Sequence, residues 1–240
     1  MGILYDNKDY NYGVLMVMNF KSVKDSATEY IRNKIITGEF IAGHAINETA
    51  LASRLDISRP PIREALRTLE NEHLVVSVPR KGTYVSELSA EDLKELYQLR
   101  EMVEGYSVEL LKEKNIRNLP AVSSTLEEFS RLPMPDHDNM EQRLIYLRSA
   151  YDFHIKLVDS SGNKMLTQWN NSICSHLNRY QFIYFYIPDS KQCSREDHQE
   201  ILDLIEVGDY ENAHKSLITH IRYTLEFLLN RISVSEIAIK

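Results

Sequence analysis

The chain has 240 residues, of which 43% are hydrophobic and 26% are charged. This balance is typical of a folded globular protein and excludes a largely disordered one. The formal net charge of -7 argues against a protein that coats nucleic acid non-specifically. The charge is unevenly spread, because residues 20–88 are nearly neutral and residues 89–240 carry most of the excess acid.

Cysteine usage and hydrophobic runs indicate neither export nor membrane insertion. Cys174 and Cys193 do not make a disulfide scaffold or a CxxC zinc motif. The longest early apolar run, residues 14–18, is too short to span a bilayer or to form a signal-peptide core. We therefore expect a cytoplasmic protein that does not contact a membrane.

The chain begins with a segment that shows no period and continues into a helical pattern. Residues 1–19 are interpreted as a flexible tail, or as sequence that precedes an alternative start at Met16 or Met18. Residues 25–37 carry apolar side chains at helical spacing, and Gly38 is suited to end that helix. We expect this first helix to pack beneath the elements that follow.

Residues 47–72 predict two short helices that are separated by a tight turn. Asn47 is expected to cap a helix that runs to about Leu55, and Ser58 to begin a second that ends near residue 72. Pro60 and Pro61 fall in the first turn of that second helix, where backbone N–H groups have no partner within the helix. Prolines there remove the donors that Ser58 would cap, which leaves its hydroxyl available to a phosphate.

The second of these helices has one charged and one apolar face. Arg59, Arg63 and Arg67 recur every fourth residue along the charged face. The opposite face is apolar and consists of Ile62, Ala65, Leu66 and Leu69. An ordinary solvated helix surface has a similar pattern, but the short preceding turn and the basic hairpin that follows favour a DNA-reading helix.

The hairpin is predicted from two β-prone runs, residues 75–78 and 83–86. They are joined through Pro79, Arg80, Lys81 and Gly82, which gives the hairpin a basic tip. Ser89 then begins a long helix with acidic residues in its first turn. We place a domain boundary at residues 87–89.

The remainder of the chain predicts about six helices in one bundle. The breaks between them are expected at residues 112–118, 132–138, 160–163, 187–193 and 207–209. The expected organisation is therefore a tail at residues 1–19, a first domain at 20–88 and an all-α second domain at 89–240.

Two groups of segments, one in each expected domain, resemble parts of a known protein family. SRPPIREALRTLE and PRKGTYV resemble the recognition helix and wing of the GntR family of bacterial transcription regulators, over residues 25–86. LYQLREMVEGYSVELL, FHIKLVDSSGN and DHQEILDLIEVGDYENAHKSLITHI resemble the FCD effector-binding domain of its FadR-like branch. The resemblance implies a mainly α protein, with a winged helix-turn-helix domain, a small β-hairpin wing and an all-α helical-bundle effector domain. It also implies a homodimeric regulator, most often a repressor, that binds operator DNA and responds to a small carboxylate.

The resemblance also assigns residues to DNA contact. The set comprises Thr49, Ser58, Arg59, Pro60, Arg63, Arg67, Lys81 and Gly82. Arginines at the front of a recognition helix can bond guanine O6 and N7 in a two-pronged way. Pro60 stands where a threonine is common in the family and Thr49 where an arginine is common, so the operator sequence cannot be copied from relatives.

Three histidines of the second domain predict a metal site. His154, His198 and His220 fall on three different predicted helices, and imidazoles that converge in a bundle suit Zn²⁺ or Ni²⁺. The FCD resemblance implies a fourth ligand, an aspartate four residues before the first histidine, but Ala150 occupies that position. Asp152 lies on another face of the helix. A buried polar cavity without metal remains the alternative.

Arg100 matches a family arginine that faces the effector cavity, where a guanidinium can pair with a carboxylate. The alternative is an ion pair with Glu104, four residues on, at the helix surface. An aromatic cluster is interpreted as packing or dimer contact; it comprises Tyr180, Phe182, Tyr184, Phe185 and Tyr186.

Two other classes of function compete with a ligand-responsive regulator. A metal-dependent hydrolase would use the three histidines, but the sequence has no HExxH or comparable catalytic pairing. A structural DNA-binding protein would have no polar cavity in its bundle. The sequence therefore favours a DNA-binding regulator that is not an enzyme.

Overall fold

The computed structural model describes residues 22–136, 139–184 and 191–238, without the side chains of 182–184, 191–194 and 233–238. The predicted tail at residues 1–19 lies outside the described residues. In chain order the elements are α1 Val23–Ile36, β1 Ala45–Ile46, α2 Glu48–Leu55, α3 Arg59–Asn71, β2 Val75–Val78, β3 Gly82–Val85, α4 Ala90–Glu113, α5 Pro120–Arg131, α6 Met140–Ser160, α7 Lys164–Tyr184, α8 Lys191–Val207 and α9 Tyr210–Ala238. The predicted fold class is confirmed.

Helix α1 begins two residues earlier than predicted. Ser22 caps it through a capping box, in which the Ser22 hydroxyl accepts from Asp25 N and the Asp25 carboxylate accepts from Ser22 N. Gly38 follows the helix with a φ of 75°, a left-handed conformation that suits a residue without a Cβ. Its buried face lies against α3, as the apolar spacing predicts.

The helix-turn-helix forms as predicted. The Asn47 side chain accepts from Ala50 N at 3.0 Å and so caps α2. Asp56 ends α2 in the left-handed region, which turns the chain sharply into α3. The apolar face of α3 is fully buried against α1 and α2 and consists of Ile62, Ala65, Leu66 and Leu69.

The wing is the predicted hairpin with one additional strand. Strands β2 and β3 pair antiparallel, with Val78 opposite Gly82 across the tip. Strand β1, which was not predicted, pairs with β3 on its other side, so the sheet order is β1-β3-β2 among the described residues. A strand of two residues is too short to show a period of two in the sequence.

Helices α4 to α9 form the predicted bundle, with a core separate from that of the winged part. Ser89 caps α4 by accepting from Asp92 N at 3.0 Å. Most helix ends fall within two residues of the predicted breaks, but α7 ends at Tyr184, three residues before its predicted break, and α8 begins at Lys191, two residues before the predicted end of that break. No helix in the described ranges combines the length and the apolar content that a bilayer crossing requires.

The winged part and the bundle contact each other at several points. Helix α1 lies against α7, and the Ile36 side chain packs on Leu147 of α6. The Arg179 guanidinium of α7 donates to the carbonyl oxygen of Ser86 at 2.5 Å, just before α4 begins. These contacts join α1 and the segment before α4 to the bundle.

Candidate functional site

The three arginines of α3 form an exposed face on the side away from the core. Arg59 and Arg63 are about half exposed, at 50% and 56% of the side chain, and Arg67 is also exposed. Ser58 precedes the helix and, within the described residues, makes no capping hydrogen bond. The exposed face of α3 therefore presents three guanidinium groups, and the Ser58 hydroxyl lies at its start without a capping hydrogen bond.

Glu48, at the start of α2, holds two of these arginines. Its Oε2 accepts from Arg59 Nη2 at 3.0 Å and from Arg63 Nε at 2.9 Å. The hydrogen bond from Arg63 contributes most to a lowered pKa of the Glu48 carboxyl, and Arg59 adds to it. The sequence pattern does not single out Glu48, because the pairing crosses the turn between two helices.

The wing tip is exposed and lies beyond the end of β2. Arg80 has a φ of 64° and Gly82 a φ of 118°, so the tip uses two residues in the left-handed half of the backbone map. The Tyr84 hydroxyl donates to the Lys81 carbonyl oxygen at 3.1 Å and braces the turn from the strand. This geometry leaves the charged side chain of Lys81 exposed at the tip.

The three predicted histidines converge inside the bundle. His198 Nε2 lies 3.1 Å from His154 Nε2 and 3.2 Å from His220 Nε2. The three side chains come from α6, α8 and α9, and all three are buried. Phe153 stacks on the His198 ring at 4.0 Å between centroids and closes one side of the group.

Two carboxylates orient these rings from outside. His154 Nδ1 lies 2.7 Å from Glu104 Oε2, and His220 Nδ1 lies 2.9 Å from Asp197 Oδ2. Each bond turns the Nε2 atom of its ring towards the shared centre. Neither carboxylate is evident from the histidine spacing, since both contacts join different helices.

The environment of the group keeps two of the imidazoles, those of His154 and His198, neutral. Burial lowers the pKa of His154 to about 4, assisted by Arg100 and opposed by Glu104. Burial also lowers the pKa of His198 well below its usual range, and the two neighbouring histidines add to this. Burial raises the pKa of Glu104, but Arg100 and His154 outweigh it and hold that pKa at about 2. Neutral rings beside an ionised carboxylate are the protonation states that metal ligation requires.

Ala150, one turn before His154 on the same face of α6, carries no ligand atom. Its methyl group packs beside Phe129 and Tyr146, and Asp152 is outside the cluster of possible ligands among the described residues. The protein thus supplies three nitrogen ligands at this place, with no carboxylate in the position that the family pattern expects.

Arg100 is buried, not at a helix surface. Its Nε donates to Glu104 Oε1 at 2.6 Å, so the pair four residues apart exists but lies inside the bundle. The guanidinium also lies 5.5 Å from the ring centroids of both Tyr97 and Tyr151. A continuous chain of contacts thus runs from Arg100 through Glu104 to His154.

Of the aromatic cluster, Tyr180 is described in full. It is buried, and its hydroxyl donates to Asp92 Oδ2 at 2.5 Å while accepting from Ser89 N at 3.1 Å. The side chains of Phe182 and Tyr184 and all of Phe185 and Tyr186 lie outside the described residues. Tyr180 thus secures the start of α4 against α7.

Comparison with known proteins assigns the two parts of the chain to named families. Residues 24–85 match the model of bacterial regulatory proteins of the gntR family, and residues 95–223 match the FCD domain. The chain belongs to the GntR family of transcriptional regulators. Its helix-turn-helix implies binding to operator DNA, and its FCD domain implies a small-molecule effector. This GntR regulator is not an enzyme, as its family and relatives show.

Individual relatives agree with this assignment. An uncharacterised HTH-type transcriptional regulator of Bacillus subtilis (strain 168), YdhC, is 31% identical over 205 residues, which cover 82% of this chain and 87% of YdhC. The gluconate operon transcriptional repressor of Bacillus licheniformis is 30% identical over 142 residues, 59% of this chain and 56% of the repressor. A solved GntR regulator from Rhodococcus sp. RHA1 shares the fold of this GntR regulator with a TM-score of 0.71 and 22% identity, over 86% of this chain and 97% of that one.

Proposed function

We propose that this GntR-family regulator is a homodimeric repressor that binds operator DNA and is released or re-tuned by a small carboxylate metabolite. Binding of the metabolite in the helical bundle would change the spacing of the two winged domains, so that they fit or miss two half-sites. The observation that carries the proposal is the exposed arginine face of α3 opposite its buried apolar face.

Arg59 and Arg63 are proposed to contact base edges from the front of α3. A guanidinium presents paired N–H donors that match guanine O6 and N7, whereas most other side chains offer a single donor. The exposed Arg67, Thr49 and Pro60 would lie along the flanks of the same surface. The arrangement favours direct reading of sequence over general attraction to phosphate.

Ser58 and the wing are proposed to contact the DNA backbone. The Ser58 hydroxyl is left without a capping bond within the described residues and can donate to a phosphate oxygen. Lys81 is exposed at the wing tip beside Gly82, whose lack of a side chain allows close approach to a groove. These contacts would fix the register of α3.

Two copies are needed to explain useful affinity. The first domain is nearly neutral and the second is acidic, so general attraction between the chain and DNA is weak. Pairing two winged domains joins two modest half-site contacts into one tighter interaction. The repressor sense is supported by the name of the Bacillus licheniformis relative.

We further infer that His154, His198 and His220 hold a divalent metal, Zn²⁺ or Ni²⁺. The three buried Nε2 atoms and the carboxylates on two of the opposite ring nitrogens fit a metal-binding donor set with its supporting shell. When bound, the metal supplies a Lewis-acidic centre to which a water or an effector carboxylate can attach. Without an aspartate at position 150, the protein would hold it more weakly than a four-ligand site.

Arg100 is proposed to recognise the effector carboxylate. Its guanidinium is buried and shares Glu104 with His154, which brings a fixed positive charge close to the histidines. A carboxylate beside both the metal and Arg100 would be attracted to each of them. Such a ligand would be held between α4, α6, α8 and α9.

The DNA-reading assignment is tested by Arg63→Ala. The probe is a duplex that the wild-type chain enriches from a random pool, and the measurement is a gel shift. The variant should lose about 1 to 3 kcal/mol of binding free energy, the contribution of one two-pronged contact to guanine. Arg131→Ala, which removes an exposed arginine of the bundle, is the matched control and should bind like wild type. Unchanged binding by Arg63→Ala would show that α3 does not read this DNA.

A further inference from the structure

A small apolar contact joins the end of α1 to α6. The Ile36 side chain packs against Leu147, and the two residues are only 3% and 4% exposed. Leu144, three residues earlier on α6, packs against the same pair. Among the described residues this group is separate from the core of the winged part and from the core of the bundle. It therefore belongs to the boundary between the two parts.

Polar groups extend the contact along α1. Arg148 Nη2 donates to Asn33 Oδ1 at 2.7 Å, and Arg148 Nη1 lies 3.9 Å from Glu29 Oε1. Glu29, Asn33 and Ile36 are spaced by four and three residues, so they share one face of α1. We refer to the packing of Ile36 on Leu147 and to these two polar interactions as the α1–α6 contact. Exposed polar pairs contribute little to stability, so the contact can open without unfolding either part.

The face of α6 that touches α1 also reaches the interior of the bundle. Leu147, Tyr151 and His154 are spaced by four and three residues, and all three are buried. The Tyr151 ring centroid lies 5.5 Å from the Arg100 guanidinium, and His154 is one of the converging histidines. Leu147 and His154 are about 10 Å apart along the helix axis. One helix face thus connects α1 to the site proposed for the effector.

Both helices are built to move as rigid bodies. Residues 140–160 contain neither glycine nor proline, so nothing in α6 favours a kink between Leu147 and His154. In the winged part, Ile31 and Ile35 of α1 are fully buried in the same core as the apolar face of α3. Close-packed interiors transmit displacement because they compress little. A shift of α6 against α1 therefore changes the placement of α3.

We propose that the α1–α6 contact fixes the placement of α3, and that an occupant of the site at Arg100 and the histidines changes DNA binding by opening or shifting this contact. The inference rests on the proposed function, because the separation of two α3 helices matters only to a dimer that binds two half-sites. With the contact closed, only half-sites of matching spacing are bound well. With it open, α1 still lies against α7 and Arg179 still bonds to Ser86, so the winged part turns about that side.

The test is a panel of inverted repeats, built from the half-site that the wild-type chain enriches from a random pool. Their centre-to-centre spacing varies by single base pairs around one helical turn, and wild type should bind one spacing best. The double variant Leu147→Ala, Arg148→Ala should bind an isolated half-site like wild type. Its preference for the best spacing should fall by about twofold to thirtyfold, the range expected for substitutions along a coupling route.

The matched control is the double variant Ile155→Ala, Lys156→Ala. It truncates an aliphatic and a basic side chain of the same helix, which pack against the bundle core and lie near Asp159. The control should keep the wild-type spacing preference. Melting curves confirm that each variant is folded.

A charge swap separates loss of the contact from loss of stability. Arg148→Glu places a like charge opposite Glu29 and should weaken the spacing preference, whereas adding Glu29→Arg to it should restore the preference. A double truncation at Leu147 and Arg148 that keeps the wild-type preference, or a swap that restores nothing, overturns this inference alone. A wild type that shows no spacing preference overturns the proposed dimeric function, and this inference with it.

Zn²⁺ tests the link from the contact to the histidines. Saturating Zn²⁺ should change the spacing preference of wild type but not that of Leu147→Ala, Arg148→Ala, while a rise in melting temperature shows that both bind the ion. Zn²⁺ that binds wild type without changing its preference, or that changes the preference of both proteins equally, would show that α6 does not carry the signal. A wild type that binds no Zn²⁺ would refute the metal site, and the spacing panel would still decide whether the α1–α6 contact places α3.

Discussion

At the scale of single residues, the histidine centre has two kinds of member: three residues that supply ligand atoms and two that orient their rings. Three Nε2 atoms face one another, while Glu104 and Asp197 hold the opposite nitrogens of two rings. Outer carboxylates of this kind set the orientation and basicity of the ligating imidazole. In this chain they also supply negative charge near the centre, where Ala150 supplies none.

Metal content tests this arrangement directly. Protein purified without added metal should contain Zn²⁺ or Ni²⁺, and His198→Ala should lose it. Asp197→Asn should weaken metal binding about tenfold to a hundredfold by releasing the His220 ring, whereas Asp203→Asn, on the same helix, should have no effect. Ala150→Asp should bind metal more tightly because it adds a fourth ligand. Elemental analysis and a metal-dependent rise in melting temperature are the measurements.

The metal proposal fails if wild type and Ala150→Asp are both free of metal and neither gains stability when Zn²⁺ or Ni²⁺ is added. The convergence of the three histidines followed from the family resemblance, and their places on three predicted helices were compatible with it. The roles of Glu104 and Asp197 did not, because they depend on how α4 and α8 approach α6 and α9.

At the scale of elements, the helix-turn-helix is determined by local chemistry. The cap at Asn47, the prolines at the start of α3 and the apolar spacing are all visible in the sequence, and the helices form where these signals stand. Strand β1 is an exception, because its pairing with β3 is a tertiary contact made by only two residues. The link from Glu48 to Arg59 and Arg63 is another, since it joins α2 to α3.

Glu48→Gln tests what that link between α2 and α3 does. Exposed ion pairs contribute at most about 1 kcal/mol to stability, so the melting temperature should change little. Without the carboxylate, the two arginines are held less firmly and the surface loses one negative charge. Binding to random-sequence DNA should therefore tighten, while the ratio of selected to random affinity should fall.

The matched control is Glu64→Gln, which removes an exposed carboxylate from α3 itself. It should tighten both kinds of binding in similar proportion and leave the ratio unchanged. Gel shifts on the two DNAs at one salt concentration give both affinities. If Glu48→Gln left the ratio as it is in wild type, Glu48 would have no part in specificity.

At the scale of the whole molecule, a nearly neutral reading domain is joined to an acidic bundle. The division of the chain into these two parts was visible in the charge distribution. It was also visible in the sequence pattern, which changes from helices and strands to helices alone. The contacts that couple the two parts, such as Arg179 to Ser86 and His73 to His176, were not, because they join residues far apart in the chain. The proposed pairing of two copies would likewise depend on a surface, which periodicity does not reveal.

Sequencing the DNA that the full chain enriches from a random duplex pool tests the central claim most directly. A homodimer that reads DNA through α3 should enrich an inverted repeat, with half-sites about one helical turn apart and guanine at fixed positions in each. The Arg63→Ala variant should lose preference at one position of each half-site. A pool that shows no enrichment, or a single half-site without its inverted partner, would contradict the account.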